Sequence, residues 1–309
     1  MNLNLEKGKP VWKQIRRYKW YYILLLPIFT WYIIFNYGPM FGIAIAFIDY
    51  NPFAGILQSK WVGLHWFEYL FSNRMFFTAL KNSLIINAYS LMFAFPAPII
   101  LALLLNECRG LLFKRTIQTI SYLPHFISWA IIGGLITSIL SPSGGFINQI
   151  LLNAGKDSIY FMAEPRFTRT IIIVSGMWKG IGWGTILYLA ALTNVNPELY
   201  EAATLDGAGK LKQAWYITLP SISYIIVMQL IFSVTGFIDV GFEQTFNLVT
   251  PTTYETGLVT SLYVYNMGIK SAQFSYATAV GLFQSLVGVV LLLGANYIAR
   301  KVAPDGALF

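Results

Sequence analysis

Lys179, Asp239 and the amide of Gln229 stand inside long apolar runs of a 309-residue chain, and Glu243 and Gln244 follow one such run directly. In a hydrocarbon setting each of these groups is costly unless it meets water, a partner or a polar solute. Their chemistry is that of binding and passage, not of bond breaking. Trp183, Tyr188 and Phe232 share the same runs as Lys179 and Gln229, and such rings either stack on a sugar or simply pack. Lys179 itself either lines a polar pathway or pairs with an acid or with a carbonyl freed by a broken helix. Catalytic patterns are missing: the chain has no G-x-x-x-x-G-K-[ST], G-x-S-x-G or H-E-x-x-H run. Cys108 is the sole cysteine, which excludes an intrachain disulfide, and His65 and His125 make no metal cluster. His125, next to Pro124, reads more naturally as a packed histidine than as a proton relay.

The elements that must hold these residues are membrane helices. Hydrophobic residues make up 56% of the chain and charged ones 11%, with mean hydropathy +0.60. A water-soluble domain carries about 25% charged residues. Apolar windows long enough to cross a bilayer fall near 21–47, 83–106, 117–140, 170–193, 219–240 and 275–299. The first follows Lys7, Lys9, Lys13, Arg16, Arg17 and Lys19 and lacks a small-residue cleavage pattern, so it reads as a retained span. Pro96, Pro98 and Pro124 interrupt spans two and three, and Gly176, Gly180 and Gly184 give span four a small-residue face for close packing. The segment 49–81, with Trp61, Trp66, Phe67, Tyr69, Phe71, Phe76 and Phe77, predicts a partly amphipathic helix at the outer interface.

Orientation follows from the cations. With the N-terminus inside, the six cations before span one, Arg109, Lys114, Arg115, Lys210, Lys212, Arg300 and Lys301 are inner. Lys60, Arg74, Lys81, Lys156, Arg166, Arg169 and Lys270 are outer. The inner excess places both termini in the cytoplasm and the chain in the plasma membrane as a multi-pass protein. The net charge of +8 therefore belongs to a membrane surface, not to nucleic acid. The division that results is a basic N-terminal segment over 1–20, a six-helix domain over 21–300 and a tail over 301–309, with one distinctive inner loop at 194–218.

That loop opens with Asn196, a helix-capping residue, then Pro197 and Glu198, a strong helix start. Leu199, Ala202 and Ala203 share a face, and Gly207 to Gly209 end the helix, which predicts a short helix across the cytoplasmic mouth suited to a partner's groove. Read from local signals alone, it is more simply a capped surface helix joining two spans. The run Glu201-Ala202-Ala203, then Asp206-Gly207-Ala208-Gly209, then Ile217-Thr218-Leu219-Pro220 resembles the EAA motif of binding-protein-dependent ABC importer permeases. Looser likeness to the carbohydrate branch, the LplB-like and MalF-like sugar permeases, lies in Tyr122-Leu123-Pro124-His125, Gly241-Phe242-Glu243-Gln244 and Phe274 to Gly281.

The resemblance implies an all-α, type I importer bundle whose cytoplasmic coupling helix seats in a separate P-loop ATPase. Leu199, Glu201, Ala202, Ala203, Asp206, Gly207, Gly209, Leu219 and Pro220 would form that coupling element, with Glu201 contacting the ATPase and Gly207 permitting the turn. The implied partners are a second, similar permease, two copies of the ATPase, an extracellular solute-binding protein and membrane lipid. ATP and Mg would be bound by the ATPase and no cofactor by this chain. The implied cargo is a sugar, in particular an oligosaccharide, and the implied pathway is span five: Gln229, Phe232 and Asp239, with Glu243 and Gln244 as its outer rim. The competing class is an ion-coupled secondary carrier of a small polar solute, which needs paired midplane acids that these spans do not offer.

Overall fold

The computed structural model describes Trp12, residues 16–108 and 110–302, and Gly306. Lys7, Lys9, Lys13 and Arg109 of the inner cation set, and the tail beyond 302 apart from Gly306, lie outside the described residues. Helix α1 runs over Lys19–Phe47, passing from α-helical to π and 3-10 turns at Ile33 and Gly38. A two-residue antiparallel ladder follows, β1 (Ile48–Asp49) with β2 (Lys60–Trp61), and then α2 (His65–Ser72). Helices α3 (Arg74–Glu107), α4 (Leu111–Phe126) and α5 (Trp129–Ile139) succeed it. Beyond α6 (Phe146–Asn153) come α7 (Pro165–Leu192), α8 (Pro197–Leu205), α9 (Lys210–Ser221) and α10 (Ser223–Thr235). The chain closes with α11 (Phe242–Leu248), α12 (Tyr254–Gly257), α13 (Thr260–Tyr265, continued by a π turn over Asn266–Lys270) and α14 (Phe274–Val302).

Among the described residues, four helices are long and apolar enough to cross a membrane: α1, α3, α7 and most of α14. Two bent pairs, α4 with α5 at 103° and α9 with α10 at 67°, raise the number to six if each is one span. The expected spans three and five fall on these two bent pairs. The α4–α5 bend has Pro124 in the turn before it. Span two starts at Arg74, earlier than the expected 83, and is not ended by its prolines. A π turn over Ser90–Ala94 lets the Phe95 N–H reach the Ser90 carbonyl at 2.9 Å, so the ladder passes to Pro96 without a break.

The 49–81 segment does not simply lie at an interface. Leu70 and Phe76 are fully buried, and the Trp66 indole N–H donates to the Ile48 carbonyl at 2.9 Å. These residues join one apolar core with Ile86, Ile172, Leu262, Tyr263 and Tyr276. A second core, around Ile99, Ala102, Tyr188, Leu192 and Ile222, ties α3, α7 and the α9–α10 junction together. By contrast, no residue of Lys19–Tyr32 is buried, as expected of a helix whose apolar surface faces lipid or a neighbour.

The expected glycine stripe makes close approaches at two of its three positions, Gly184 against Pro98 and Gly176 against Gln244, and the tightest approach on α7 falls outside it. A Cβ on Gly180 would meet nothing within 4 Å, whereas one on Gly182 would lie 2.1 Å from the Ser121 carbonyl oxygen. Gly182 therefore lets α7 touch the backbone of α4.

Candidate functional site

The helix α8 forms for local reasons. The Asn196 side-chain oxygen accepts from the Glu198 N–H at 3.1 Å, Pro197 occupies the first turn, where its missing N–H costs nothing, and Glu198 faces the positive end of the helix dipole. Its end is a Schellman motif: the Ala208 N–H donates to the Ala203 carbonyl at 2.8 Å and the Gly207 N–H to the Thr204 carbonyl at 3.1 Å. Gly207 takes φ +74°, with open space where a side chain would stand. The glycine is required by its dihedral, not by crowding.

One side of α8 is fastened to α9. Tyr200 and Thr218 share a hydroxyl–hydroxyl bond of 3.0 Å, and the Gln213 amide donates to Thr204 Oγ1 at 2.9 Å and to the Ala208 carbonyl at 3.1 Å. Gln213 and Thr218 are buried. Lys210 pairs with Glu107 at 3.0 Å, which brings the end of α3 to the same end of the bundle. The opposite side is open: Leu199, Glu201, Ala202 and Asp206 are exposed, and Leu205 is 89% exposed. Ala203 is half-buried, so the expected face of Leu199, Ala202 and Ala203 is split, and Leu205 is the exposed apolar residue that helical spacing missed. Gly209 caps α9, while Leu219 packs on the second core and Pro220 is exposed just before the bend.

Lys179 resolves to one of its alternatives. Its ammonium donates to the carbonyls of Pro124 at 3.2 Å, His125 at 2.9 Å and Ile127, three groups that turn toward it at the α4–α5 break. It also sits 5.5 Å from the Trp129 ring centroid. One turn on, Trp183 stacks on His125 with centroids 4.4 Å apart and planes 2° from parallel. Lys179 and Trp183 together clamp the broken span, and neither lines the groove described next.

That groove is built from two cavities that share Phe232, Gly236 and Asp239. The larger, about 640 Å³, is completed by Thr235, Ser261, Gln284 and Ser285 among others. The smaller, about 390 Å³, adds Asn87, Ser90 and Ser233. Hydroxyls, amides and one carboxylate on walls that are otherwise apolar suit a polyhydroxyl solute. Phe232 and Asp239 thus occur together as expected, while Gln229 is half-buried and outside both cavities. Asn87, Ser90, Gln284 and Ser285 went unnoticed, although polar residues within the apolar windows of spans two and six carry the same signal that singled out span five.

Two expected pathway residues are corrected. Tyr188 is 2% exposed in the second core, and apolar packing removes it from the path. Gln244 is buried, its amide donating to the Ile172 carbonyl at 2.6 Å and to Ser175 Oγ at 3.1 Å, so it fastens α11 to α7 and is no rim. Glu243 is exposed on the same helix and lines neither cavity. Arg169, read as an outer cation, is half-buried, donating to Asn82 Oδ1 at 2.9 Å, while the Asn82 amide donates to the Glu255 and Leu258 carbonyls, both at 3.1 Å. This network anchors the segment that carries α12 and α13 to the groove wall.

Residues 94–304 match the family described as binding-protein-dependent transport system inner membrane component. The chain is 43% identical over 304 residues to protein LplB of Bacillus subtilis, covering 98% of this chain and 96% of that protein. It is 45% identical over 301 residues to the polygalacturonan/rhamnogalacturonan transport system permease protein YteP of the same organism, covering 97% and 94%. Among solved structures it resembles a chain of the bacterial alginate ABC transporter in complex with an alginate pentasaccharide-bound periplasmic protein, with TM-score 0.88 and 41% identity over 95% of this chain and 98% of that one.

Proposed function

This chain belongs to the family of binding-protein-dependent transport system inner membrane components, and from that premise we propose that it forms half of the translocation pathway of an ATP-driven oligosaccharide importer. The observation that carries the reading is the capped, one-sided helix α8. Its inner side is bound to the base of α9–α10, whose other end lines the polar groove, and its outer side presents Glu201, Ala202 and Leu205 to a partner. A push on α8 is thereby delivered to a wall of the groove.

On this reading the polar groove accepts the hydroxyls of a sugar through Asn87, Ser90, Ser261 and Gln284, and Phe232 offers it an aromatic face. The chain makes six crossings, with each bent pair as one crossing and both termini and the 194–218 loop in the cytoplasm. A second permease supplies the facing wall. Two P-loop ATPase subunits carry ATP and its Mg, and an extracellular solute-binding protein delivers the sugar. Nucleotide closure of the ATPases favours one permease state only insofar as they bind α8 differently in the two states. The names of the relatives support a carbohydrate cargo.

The test is to purify the tagged chain from its own membrane and to measure sugar uptake and the recovery of a P-loop ATPase, before and after Glu201→Ala. Recovery of the ATPase, with uptake lost in the variant while ATP hydrolysis continues, is the expected result. Unchanged sugar accumulation by an intact Glu201→Ala complex would exclude the coupling role of that residue. A chain that purifies alone would reopen the secondary-carrier reading.

A further inference from the structure

Three rings close on one another where α11 meets α13. Phe242 and Phe246 lie 5.3 Å apart between centroids, Phe242 and Tyr265 5.0 Å, and Phe246 and Tyr265 5.3 Å. The triangle is set by two elements: α11 places Phe242 and Phe246 one turn apart on one face, and α13 brings Tyr265 against both. The Lys270 ammonium, at the end of the π turn that prolongs α13, stands 5.5 Å from the Tyr265 centroid and 6.0 Å from that of Phe246. Lys270 is exposed and, among the described residues, no carboxylate lies within ion-pair distance of it. Phe246 is 44% exposed.

The position of this cluster matters as much as its composition. Tyr265 lines a cavity of about 410 Å³ that shares Ser261 and Val264 with the 640 Å³ cavity holding Asp239. Tyr265 thus ties the cluster to a cavity that adjoins the groove, and Phe242, Phe246 and Lys270 stand against Tyr265. At an exposed site an ammonium held over ring faces gains only about 0.5–1 kcal/mol, which leaves it able to pair with a carboxylate. Its charge is available to an anion.

A pyranose ring presents a face of C–H groups to an aromatic ring, and a uronic acid adds a carboxylate at the edge of that same ring. A cation beside an aromatic platform reads both features at once, whereas hydroxyl-lined walls read neither selectively. Asp239, farther along the groove, repels a carboxylate and so favours its placement beside Lys270. We propose that Phe242, Phe246, Tyr265 and Lys270 form a subsite for one uronate residue of an acidic oligosaccharide. The assignment rests on the importer reading and deepens it by naming the charge class of the cargo.

The experiment uses the complete transporter, with its partner permease, ATPase and solute-binding protein, in proteoliposomes. Uptake is measured at limiting sugar for a set of uronate tetrasaccharides and for their methyl esters, which keep the rings and lose the charge. The Lys270→Met change is expected to slow uptake of the acidic sugar about tenfold and that of the ester less than twofold, and Lys270→Arg to restore most of the loss. Tyr265→Leu is expected to slow both forms. Equal effects of Lys270→Met on acid and ester, or none on either, would overturn the subsite. An unaltered transporter that takes up neutral sugars and refuses every uronate would also overturn it while leaving the importer reading intact. A transporter that hydrolyses ATP yet moves no sugar would remove both.

Discussion

Replacing Gly207 isolates one conformational requirement of the loop that ends α8. The residue closes the Schellman motif at φ +74°, and a Cβ added there meets no atom within 4 Å. The cost of Gly207→Ala is thus the left-handed backbone penalty alone, about 1–2 kcal/mol. That penalty disfavours the capped loop by about 5- to 30-fold, since 1.4 kcal/mol is a factor of ten. Asparagine tolerates the left-handed region better than alanine, so Gly207→Asn costs less. Gly207→Pro costs most, because it fixes φ near −65° and removes the N–H that reaches the Thr204 carbonyl. The assay is the affinity of the purified permease for its ATPase, read alongside sugar moved per ATP hydrolysed. The expected order of loss is Pro, then Ala, then Asn, then the unaltered chain. Equal behaviour of Ala and Asn, or no loss with Ala, would refute the reasoning, because no steric clash exists to account for either result.

The remaining predictions concern the bundle. Lys179→Met leaves the Pro124, His125 and Ile127 carbonyls without their shared donor. Water at the break offsets part of the cost, so a loss of about 3 kcal/mol is expected, seen as a thermal midpoint lowered by roughly 6 °C and partly restored by Lys179→Arg; an unchanged midpoint would contradict the clamp. Gly182→Ala drives a methyl into the Ser121 backbone and should cost about 1–3 kcal/mol, whereas Gly180→Ala, with open space around it, should be neutral or stabilising. Thermal unfolding of the two variants, compared side by side, checks the order.

Much of the chain was legible from local signals. Apolar windows marked the four described helices long enough to cross a membrane and the two bent pairs, because a hydrocarbon solvent demands length and composition, and both are properties of a contiguous stretch. The α8 helix was legible for a similar reason: Asn196, Pro197, Glu198 and Gly207 act on backbone groups within a few residues of themselves. Asp239 and Phe232 were found because a polar or aromatic group within an apolar span is conspicuous. The same signal, applied to Asn87 and Gln284, would have found more of the groove.

What tertiary structure decided lies between residues far apart in the chain. Lys179 meets carbonyls more than fifty positions earlier, and Gln244 meets Ile172 across 72. Gly182 is essential to packing while Gly180 in the regular stripe is not, because only the approach of α4 distinguishes them. The sequence by itself determined that the chain has membrane-spanning helices and where α8 begins and ends, since burial in lipid and helix capping are set by neighbours along the chain. Which polar groups are consumed in holding broken helices together, and which remain free to face a solute, was decided only when the helices met, because a hydrogen-bonding group is satisfied by whatever lies within about 3 Å of it.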